Sequence, residues 1–262
     1  MGHPLVVAVI EIPRLSYAQS NPSVHAVVEW LAYFAGARVY LRQRRRSPID
    51  VARMDQMLLF ACTLFGAATG ALGLHIAESW SSISQQPISH WISGKSVLGG
   101  LLGGTIGTEV GKRAIGWRSS TGDAWVPALV VGLVIGRIGC QLSGTWDMTY
   151  GSPTGTAWGW NYGDGVPRYP TALIELLAVI AIWAGLRART WPRPGQMFNA
   201  FLLSYCSLRF LIEFLKPPFG AAAPGAIPID RFAGLTAIQW MGIAGAVWMG
   251  LRLKASRRIS NG

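Results

Sequence analysis

Two arginines lie inside mostly apolar stretches of this sequence and could do chemistry there. Arg137 stands within residues 124–141, and Arg209 stands within residues 198–216. An arginine at the centre of a membrane helix costs roughly 3 kcal/mol, so it is retained where it faces a partner or a polar cavity. Guanidinium groups match phosphate oxygens in a two-pronged geometry. The two arginines therefore predict a site for an anionic group at membrane depth, with a phospholipid phosphate as the first candidate.

A phenol and a carboxylate accompany Arg209. Tyr205, Arg209 and Glu213 are four residues apart, which places their side chains along one face of a helix. We expect Glu213 to neutralise and orient Arg209, because a buried guanidinium needs a partner. Taken alone, this spacing suits a structural ion pair and a substrate site equally well. The second arginine, Arg137, favours the substrate site.

A long segment rich in Gly, Trp, Tyr and Asp separates the fourth and fifth apolar stretches. It covers residues 144–169, and ordered loops of this length are commonly functional. Just beyond it, Glu175 opens the next predicted helix. This carboxylate is expected to pair with Arg137 or with Arg168, and the sequence leaves that choice open.

The composition indicates that these residues are positioned by membrane helices. Hydrophobic residues make up 51% of the chain and charged residues 13%, whereas a soluble domain usually carries about 25% charge. About 20 apolar residues span a bilayer. We predict an all-α integral membrane protein that forms a single domain over residues 1–262, a bundle of about seven transmembrane helices. The predicted spans are residues 23–41, 57–77, 94–111, 124–143, 170–186, 196–215 and 234–251.

The first 22 residues are predicted to lie at the membrane interface. Their apolar run, residues 4–13, is too short to span a bilayer and could also form a short strand. It lacks a basic leader and a small-residue cleavage site, so we do not interpret it as a signal peptide.

The positive charge predicts topology and argues against nucleic acid as a partner. The net charge is +11, and 16 of the 23 Lys and Arg residues fall in four loops, within residues 38–53, 112–118, 187–193 and 252–258. These loops follow the first, third, fifth and seventh predicted helices. The positive-inside rule then places the N-terminus outside, the C-terminus in the cytoplasm and residues 144–169 at the outer face. Attraction to anionic lipid is a further expected effect of these loops.

The third predicted helix carries glycines at every fourth position. Gly99, Gly103, Gly107 and Gly111 form this stripe. Small residues at this spacing let helix backbones approach closely within a membrane. The stripe is therefore expected to shape the helix bundle without contacting substrate.

Metal chemistry is not predicted. The cysteines are Cys62, Cys140 and Cys206, and each falls within a predicted helix. None has a partner at the short spacing that zinc or redox sites use. We expect small buried thiols.

Four short motifs, in this order, resemble the prolipoprotein diacylglyceryl transferase family. They are KSVLGGLLGG at residues 95–104, GRIG at 136–139, RYPTALIE at 168–175 and YCSLRFLIE at 205–213. Each motif is short, but their order and spacing are specific. The resemblance covers roughly residues 25–250.

The resemblance implies a reaction and a location. Members of this family lie in the bacterial plasma membrane with seven helices and an active site toward the outer, periplasmic half. They move the diacylglyceryl group of phosphatidylglycerol to the lipobox cysteine thiol of a secreted prolipoprotein, and glycerol phosphate leaves. Neither a metal nor a soluble cofactor is implied.

The resemblance also implies roles for individual residues. The signature arginine of the family maps onto Arg137, and its sixth-helix Tyr, Arg and Glu map onto Tyr205, Arg209 and Glu213. We expect these four to be catalytic. The expected substrate-binding residues are Lys95, Gly136, Gly139, Gln141, Asp147, Arg168, Tyr169 and Glu175.

The chain departs from the family pattern at several polar positions. Leu98 stands where typical members carry a histidine, Cys140 where they carry an asparagine, and Tyr169 where they carry another histidine. The donor lipid is therefore better supported than the acceptor. No proton acceptor stands out, and the candidates are Asp147, Glu175 and Tyr169.

Three functions remain open at the level of sequence. The first is the transfer of a diacylglyceryl group to a prolipoprotein cysteine. The second is an enzyme of the same fold that passes a diacylglyceryl or phosphoglycerol unit to another acceptor, such as a glycan or a lipid. The third is a non-catalytic membrane protein that binds or moves anionic lipid. The arginine pair is expected under all three, and the missing histidine favours the second and third.

Overall fold

The protein is predominantly helical, as the composition predicts. The computed structural model describes residues 10–11, 22–46, 51–83, 88, 91, 95–145, 149–217 and 229–258. Its α-helices in this part of the chain are α1 (Pro22–Arg46), α2 (Arg53–Glu78), α3 (Trp80–Ile83), α4 (Val97–Ala114), α5 (Val126–Ser143), α6 (Thr171–Arg187), α7 (Gln196–Ile212) and α8 (Ala237–Arg258). Short 3-10 turns, η1 (Gly122–Trp125) and η2 (Glu213–Leu215), precede α5 and follow α7.

The long helices lie over the predicted spans, and some of them are clearly suited to a membrane. Within the described residues, three helical segments are both long and apolar enough to cross a bilayer, namely Arg53–Glu78, Gly122–Ser143 and Gln196–Leu215. In the most apolar window of the first, only 11% of the residues are buried inside the protein. A helix this apolar and this exposed is suited to lipid and not to water. That all seven predicted spans cross the membrane stays a prediction.

Local capping explains why α4 begins later than predicted. The predicted span starts at residue 94, whereas α4 starts at Val97. Ser96 is its N-cap, and the Ser96 hydroxyl accepts a hydrogen bond from the backbone N–H of Gly99 at 3.4 Å. Such a bond satisfies a donor that the first turn of a helix leaves open.

Small strands lie between the helices, so the prediction of an all-α fold is incomplete. β1 (Ile10–Glu11), β2 (Trp160–Asn161) and β3 (Pro167–Arg168) form a sheet in the order β1-β2-β3. β1 pairs parallel to β2, and β2 pairs antiparallel to β3. β4 (Arg231–Phe232) and β5 (Leu235–Thr236) form a hairpin directly before α8. Two-residue strands are too short to leave an alternating pattern in the sequence.

The predicted interfacial segment, residues 1–22, lies almost wholly outside the described residues. Ile10–Glu11 form strand β1, and Pro22 begins α1. The possibility of a short strand is thus confirmed at these two positions, and an interfacial location stays a prediction.

The chain divides into two compact units. The first unit comprises residues 1–39, 127–184 and 214–228, and the second comprises residues 40–126, 185–213 and 229–262. The first therefore contains most of α1, α5 and α6 together with the loop between them. The second contains α2, α4, α7 and α8. The prediction of one domain over the whole chain stays a prediction.

In the first unit, α1 packs on α5 through glycines. A Cβ atom added at Gly36 of α1 would lie 3.3 Å from the carbonyl oxygen of Ala128 in α5. One added at Gly139 of α5 would lie 2.8 Å from Cγ1 of Val28 in α1. The two helices approach closely along this side, and Gly139 is required for packing.

In the second unit, α2 and α4 are in backbone contact. A Cβ atom added at Gly103 would lie 2.2 Å from the carbonyl oxygen of Gly66, and one at Gly99 would lie 2.2 Å from that of Gly70. Carbonyl oxygens of a helix cannot move aside as a flexible side chain can. The predicted role of the glycine stripe in close helix packing is therefore confirmed.

Candidate functional site

Arg137 and Glu175 form a buried ion pair in the first unit. Both residues are buried, and Glu175 is only 1% exposed. Nη2 of Arg137 on α5 lies 2.8 Å from Oε1 of Glu175 on α6. Nη1 of Arg137 donates to Sγ of Cys140 on the next turn of α5, at 3.6 Å. Of the two partners that the sequence left open for Glu175, the structure selects Arg137.

Local sequence explains how Glu175 reaches this position. Pro170 precedes α6, which begins at Thr171, and proline is well suited to the start of a helix. The Thr171 hydroxyl donates to the carbonyl oxygen of Thr149 and so ties the beginning of α6 to the loop before it. Glu175 follows one turn later and is held inside the unit.

Arg168, the other possible partner, pairs with Asp164 within the loop. Its Nη1 and Nη2 lie 2.8 and 2.7 Å from the two carboxylate oxygens of Asp164. The guanidinium also lies over the Tyr150 ring, 4.9 Å from its centre. This contact with Arg168 lowers the pKa of Asp164, and the carboxylate raises the pKa of Arg168 in return. Sequence reasoning missed this pair, because the two residues face each other only once the β2–β3 turn forms.

Gln141 follows Arg137 by one helical turn and holds a tyrosine of the loop. The Tyr162 hydroxyl donates to Oε1 of Gln141 at 3.3 Å, and burial raises the pKa of Tyr162 to about 12. The amide nitrogen of Gln141 is buried and has no hydrogen-bond partner in the described part of the chain. The same is true of the indole nitrogen of Trp160. Both atoms are donors, which suits a ligand that brings acceptor oxygens.

The remaining predicted residues of this region differ in their surroundings. A Cβ atom at Gly136 would meet nothing within 4 Å, so no packing contact of the described residues requires glycine there. The Tyr169 ring lies 5.1 Å from the ring of Trp158, centre to centre. Lys95 is exposed and stands just before the N-cap of α4. Asp147 lies outside the described residues.

The second group of predicted residues, Tyr205, Arg209 and Glu213, lies in the second unit. All three are buried. Nη2 of Arg209 lies 3.6 Å from Oε2 of Glu213, so the predicted pairing is confirmed. The α-helix ends at Ile212, and Glu213 begins the 3-10 turn that follows. Tyr205 stacks on Phe201 with 6.2 Å between ring centres.

A carboxylate distant in sequence anchors the helix that carries Arg209. The two oxygens of Asp123 accept hydrogen bonds from the backbone N–H groups of Gly195 at 2.6 Å and of Phe198 at 2.9 Å. These donors belong to the first turn of α7, whose N-cap, Gly195, has no side chain of its own to accept them. Sequence reasoning missed Asp123, because a cap supplied from 72 residues away leaves no local signal.

The Arg137–Glu175 pair and the Arg209–Glu213 pair share one chemical feature. Each places a buried guanidinium against a carboxylate inside a helix pair or at a helix end, and a phosphate can replace the carboxylate as the partner of the guanidinium. Arg137 and Arg209 belong to different units, so their action on one ligand remains a prediction. Among the described residues, no group of three His, Cys, Asp or Glu side chains could hold a metal ion.

Comparison with known proteins gives a consistent result. A family model described as prolipoprotein diacylglyceryl transferase matches residues 20–252. Similar proteins carry the name phosphatidylglycerol–prolipoprotein diacylglyceryl transferase. One from Cupriavidus metallidurans is 29% identical over 245 residues, which cover 82% of this chain and 84% of the relative. One from Bordetella bronchiseptica is 28% identical over 261 residues, covering 87% and 92%. One from Geobacter sulfurreducens is 32% identical over 201 residues, covering 72% and 75%.

Proposed function

The chain belongs to the prolipoprotein diacylglyceryl transferase family, and from that premise we propose that it moves the diacylglyceryl group of phosphatidylglycerol to a prolipoprotein cysteine. The relatives are named for these two substrates. The cysteine thiol forms a thioether with the glycerol carbon that bears the phosphate. The carbon–oxygen bond to the phosphate breaks, and glycerol phosphate leaves.

The buried contact between Arg137 and Glu175 carries this proposal. A leaving phosphate gains negative charge as the carbon–oxygen bond breaks, and a preorganised cation stabilises that charge most where water is excluded. Arg137 meets this need, because it is buried within α5 and its guanidinium is held in place at 2.8 Å by Glu175. Arg209, which is buried on α7, is the second cation to which we assign a catalytic role.

Other residues are assigned to substrate binding. Gln141 has a buried amide donor with no hydrogen-bond partner among the described residues, which suits an oxygen of the headgroup. Arg168 and Tyr169 lie in the loop that precedes Glu175. Lys95, Gly136, Gly139 and Asp147 complete the proposed substrate-binding set.

The same proposal includes a topology. The protein spans a bacterial plasma membrane seven times, with its N-terminus outside and its C-terminus in the cytoplasm. The clustering of 16 of the 23 Lys and Arg residues at four alternate helix ends and the connections beside them supports this orientation. The site then opens toward the outer half of the membrane, where secreted prolipoproteins arrive.

One observation favours a second candidate function. Leu98, at the position where typical family members carry a histidine, is apolar and buried. A different acceptor would explain why that histidine is dispensable. The alternative is an enzyme that passes a diacylglyceryl or phosphoglycerol unit from phosphatidylglycerol to a glycan or a lipid.

Incubation of the purified protein with labelled phosphatidylglycerol and a lipobox peptide tests the proposal. We expect lipid-modified peptide and an equal amount of released glycerol phosphate. Consumption of lipid with an unmodified peptide would support the alternative acceptor. Retention of phosphatidylglycerol without turnover would instead indicate a protein that only binds or moves anionic lipid.

A further inference from the structure

The reaction needs a group that removes the thiol proton, and the first unit supplies few candidates. A thiol attacks carbon effectively only as the thiolate. Nη2 of Arg137 lies 2.8 Å from Oε1 of Glu175. Its other terminal nitrogen contacts Cys140 at 3.6 Å. Glu175 therefore lies against the cation that we assign to the phosphate.

Two other acidic groups of this unit, Asp164 and Tyr162, are poorly suited to the task. Asp164 is engaged through both oxygens by Arg168, which lowers its pKa and makes it a weak base. Tyr162 has a pKa of about 12 and donates its proton to Gln141, so it is not a phenolate at neutral pH.

Glu29 of α1 accepts a hydrogen bond from the Tyr33 hydroxyl at 2.5 Å, one turn further along the same helix. Glu29 is only half-buried. Glu175, in contrast, is 1% exposed and lies 2.8 Å from the cation that we assign to the phosphate.

We propose that Glu175 has two successive roles, as the counter-ion of Arg137 in the resting protein and as the general base of the transfer once the donor lipid is bound. This inference rests on the proposed function. The phosphate of the lipid competes with Glu175 for the guanidinium, which has several donors and matches phosphate geometry. A buried carboxylate that loses its cation holds a proton more readily. Lipid binding thus activates the base.

Atoms and charge balance in this step. The thiol proton passes to a carboxylate oxygen of Glu175, and the sulfur forms a bond to the glycerol carbon that bears the phosphate. The carbon–oxygen bond breaks, its electron pair stays with the phosphate, and the glycerol phosphate dianion leaves against Arg137. Glu175 then releases its proton to water and pairs with Arg137 again when the phosphate departs.

Several charged and titratable groups lie around the Arg137–Glu175 pair. Arg137 of α5 contacts Glu175 directly, and Cys140 contacts Arg137. Cys140 and Arg168 each interact electrostatically with Tyr162 in the loop. Arg168 is already neutralised by Asp164.

The test compares Glu175→Gln with wild type and with Glu109→Gln as a matched control. Glu109 is also an ion-paired helix carboxylate, 3.2 Å from Lys112 and 3.1 Å from Arg252, but it lies in the second unit outside the proposed machinery. Purified proteins are assayed with dioleoylphosphatidylglycerol micelles and a lipobox peptide between pH 6 and pH 9. Copurified phosphatidylglycerol is measured in the same preparations.

We expect Glu175→Gln to lose about 100-fold or more of the peptide turnover at pH 7, since general bases contribute about 10²–10⁴-fold. The loss should shrink as the pH rises toward the thiol pKa of about 8.5, because hydroxide then replaces the missing base. The variant should retain at least as much phosphatidylglycerol as wild type, and Glu109→Gln should follow the wild-type pH profile.

Unchanged turnover in Glu175→Gln, parallel loss of turnover and lipid retention, or absence of alkaline recovery would overturn the base role. If Glu175→Gln does not accumulate, Glu175→Asp carries the test. It should turn over more slowly with unchanged lipid retention, and an equal loss of both would assign Glu175 to structure alone. Absence of peptide modification by the wild-type protein would refute the proposed function instead.

Discussion

At the scale of single residues, two buried arginines are held by carboxylates. Arg137 pairs with Glu175 at 2.8 Å, and Arg209 pairs with Glu213 at 3.6 Å. Removing one partner of a buried pair leaves an uncompensated charge, which typically costs about 3–5 kcal/mol. Such pairs are expensive to keep in a membrane protein, and we propose that a ligand uses the cation.

Replacement of Arg209 by lysine tests the geometry of this cation. Lysine keeps the charge but loses the planar, two-pronged contact with phosphate. We expect Arg209→Lys to lower turnover by about 100-fold, in the range seen when a preorganised oxyanion donor is removed. Turnover of lipobox peptide measures the effect.

The matched control for that variant is Arg231→Lys. Arg231 is an exposed arginine of the β4–β5 hairpin whose Nη1 donates to the carbonyl oxygen of Gly234. The Arg231→Lys variant should modify the lipobox peptide at the wild-type rate. Equal activity of Arg209→Lys and Arg231→Lys would show that position 209 needs only a positive charge.

The ion pair between Arg168 and Asp164 predicts a pH dependence of stability. Because Arg168 lowers the pKa of Asp164 in the folded protein, the pair stabilises the fold at pH values above the ordinary carboxyl pKa of about 3.9. This contribution is lost as the pH falls through the lower pKa of the folded state. Asp164→Asn should therefore melt below wild type at pH 7, and the difference in melting temperature should be smaller near pH 3. A difference in melting temperature that is the same at both pH values would contradict this explanation.

The sequence predicts ion pairs at this scale only when both residues lie along one predicted helix. The pairing of Arg209 with Glu213 follows from a spacing of four residues on one helix. The choice of Glu175 between Arg137 and Arg168 depends on how α5 packs on α6, which no local pattern encodes. The pairing of Arg168 with Asp164 depends on a turn within the 144–169 loop, and it was not foreseen.

At the scale of elements, glycine patterns decide which helices meet closely. Gly66 and Gly70 of α2 face Gly99 and Gly103 of α4 with carbonyl oxygens where a Cβ atom would otherwise lie. The stripe is therefore a packing feature and carries no catalytic group. It positions α4 within the second unit.

Substitution of Gly103 by alanine tests this contact. The new Cβ atom would lie 2.2 Å from the carbonyl oxygen of Gly66 and 2.9 Å from Cα of Gly70, and both neighbours are backbone. We expect Gly103→Ala to lower the free energy of unfolding by about 1–3 kcal/mol, as overpacking typically does. The melting temperature in detergent measures this change.

Gly73→Ala is the control, on the same α2 helix. A Cβ atom at Gly73 would meet nothing within 4 Å, and alanine is the better helix former by up to about 1 kcal/mol. We expect this variant to melt at or above the wild-type temperature. If Gly103→Ala were as stable as Gly73→Ala, the result would mean that α2 and α4 are not in backbone contact.

The sequence predicts where the helices lie. It predicts the residues at which they begin and end less well. Long apolar runs locate the helices because the membrane demands them. The start of α4 is set by the Ser96 cap, and that of α7 by Asp123 from a distant segment. The Ser96 cap is a local sequence signal but a weak one. The Asp123 cap comes from a distant segment and leaves no local signal.

At the scale of the whole molecule, the basic loops predict orientation. If the C-terminus is cytoplasmic, the end of α4 faces the cytoplasm and the 144–169 loop faces outward. Gly155→Cys and Ala114→Cys report on these two places, since both positions are exposed. A membrane-impermeant maleimide should label Gly155→Cys on intact spheroplasts and Ala114→Cys only after lysis. Labelling of the wild-type protein measures the background from Cys62, Cys140 and Cys206. The reverse labelling pattern would contradict the proposed topology.

The decisive experiment compares turnover by wild type, Arg137→Ala and Arg209→Ala, each folded and inserted. The measured quantity is glycerol phosphate released per lipid-modified peptide, with labelled phosphatidylglycerol as donor. We predict one glycerol phosphate per modified peptide for wild type and background levels for both variants, because we assign a catalytic role to each arginine. Full turnover in both variants would contradict the claim that these two guanidinium groups carry the reaction.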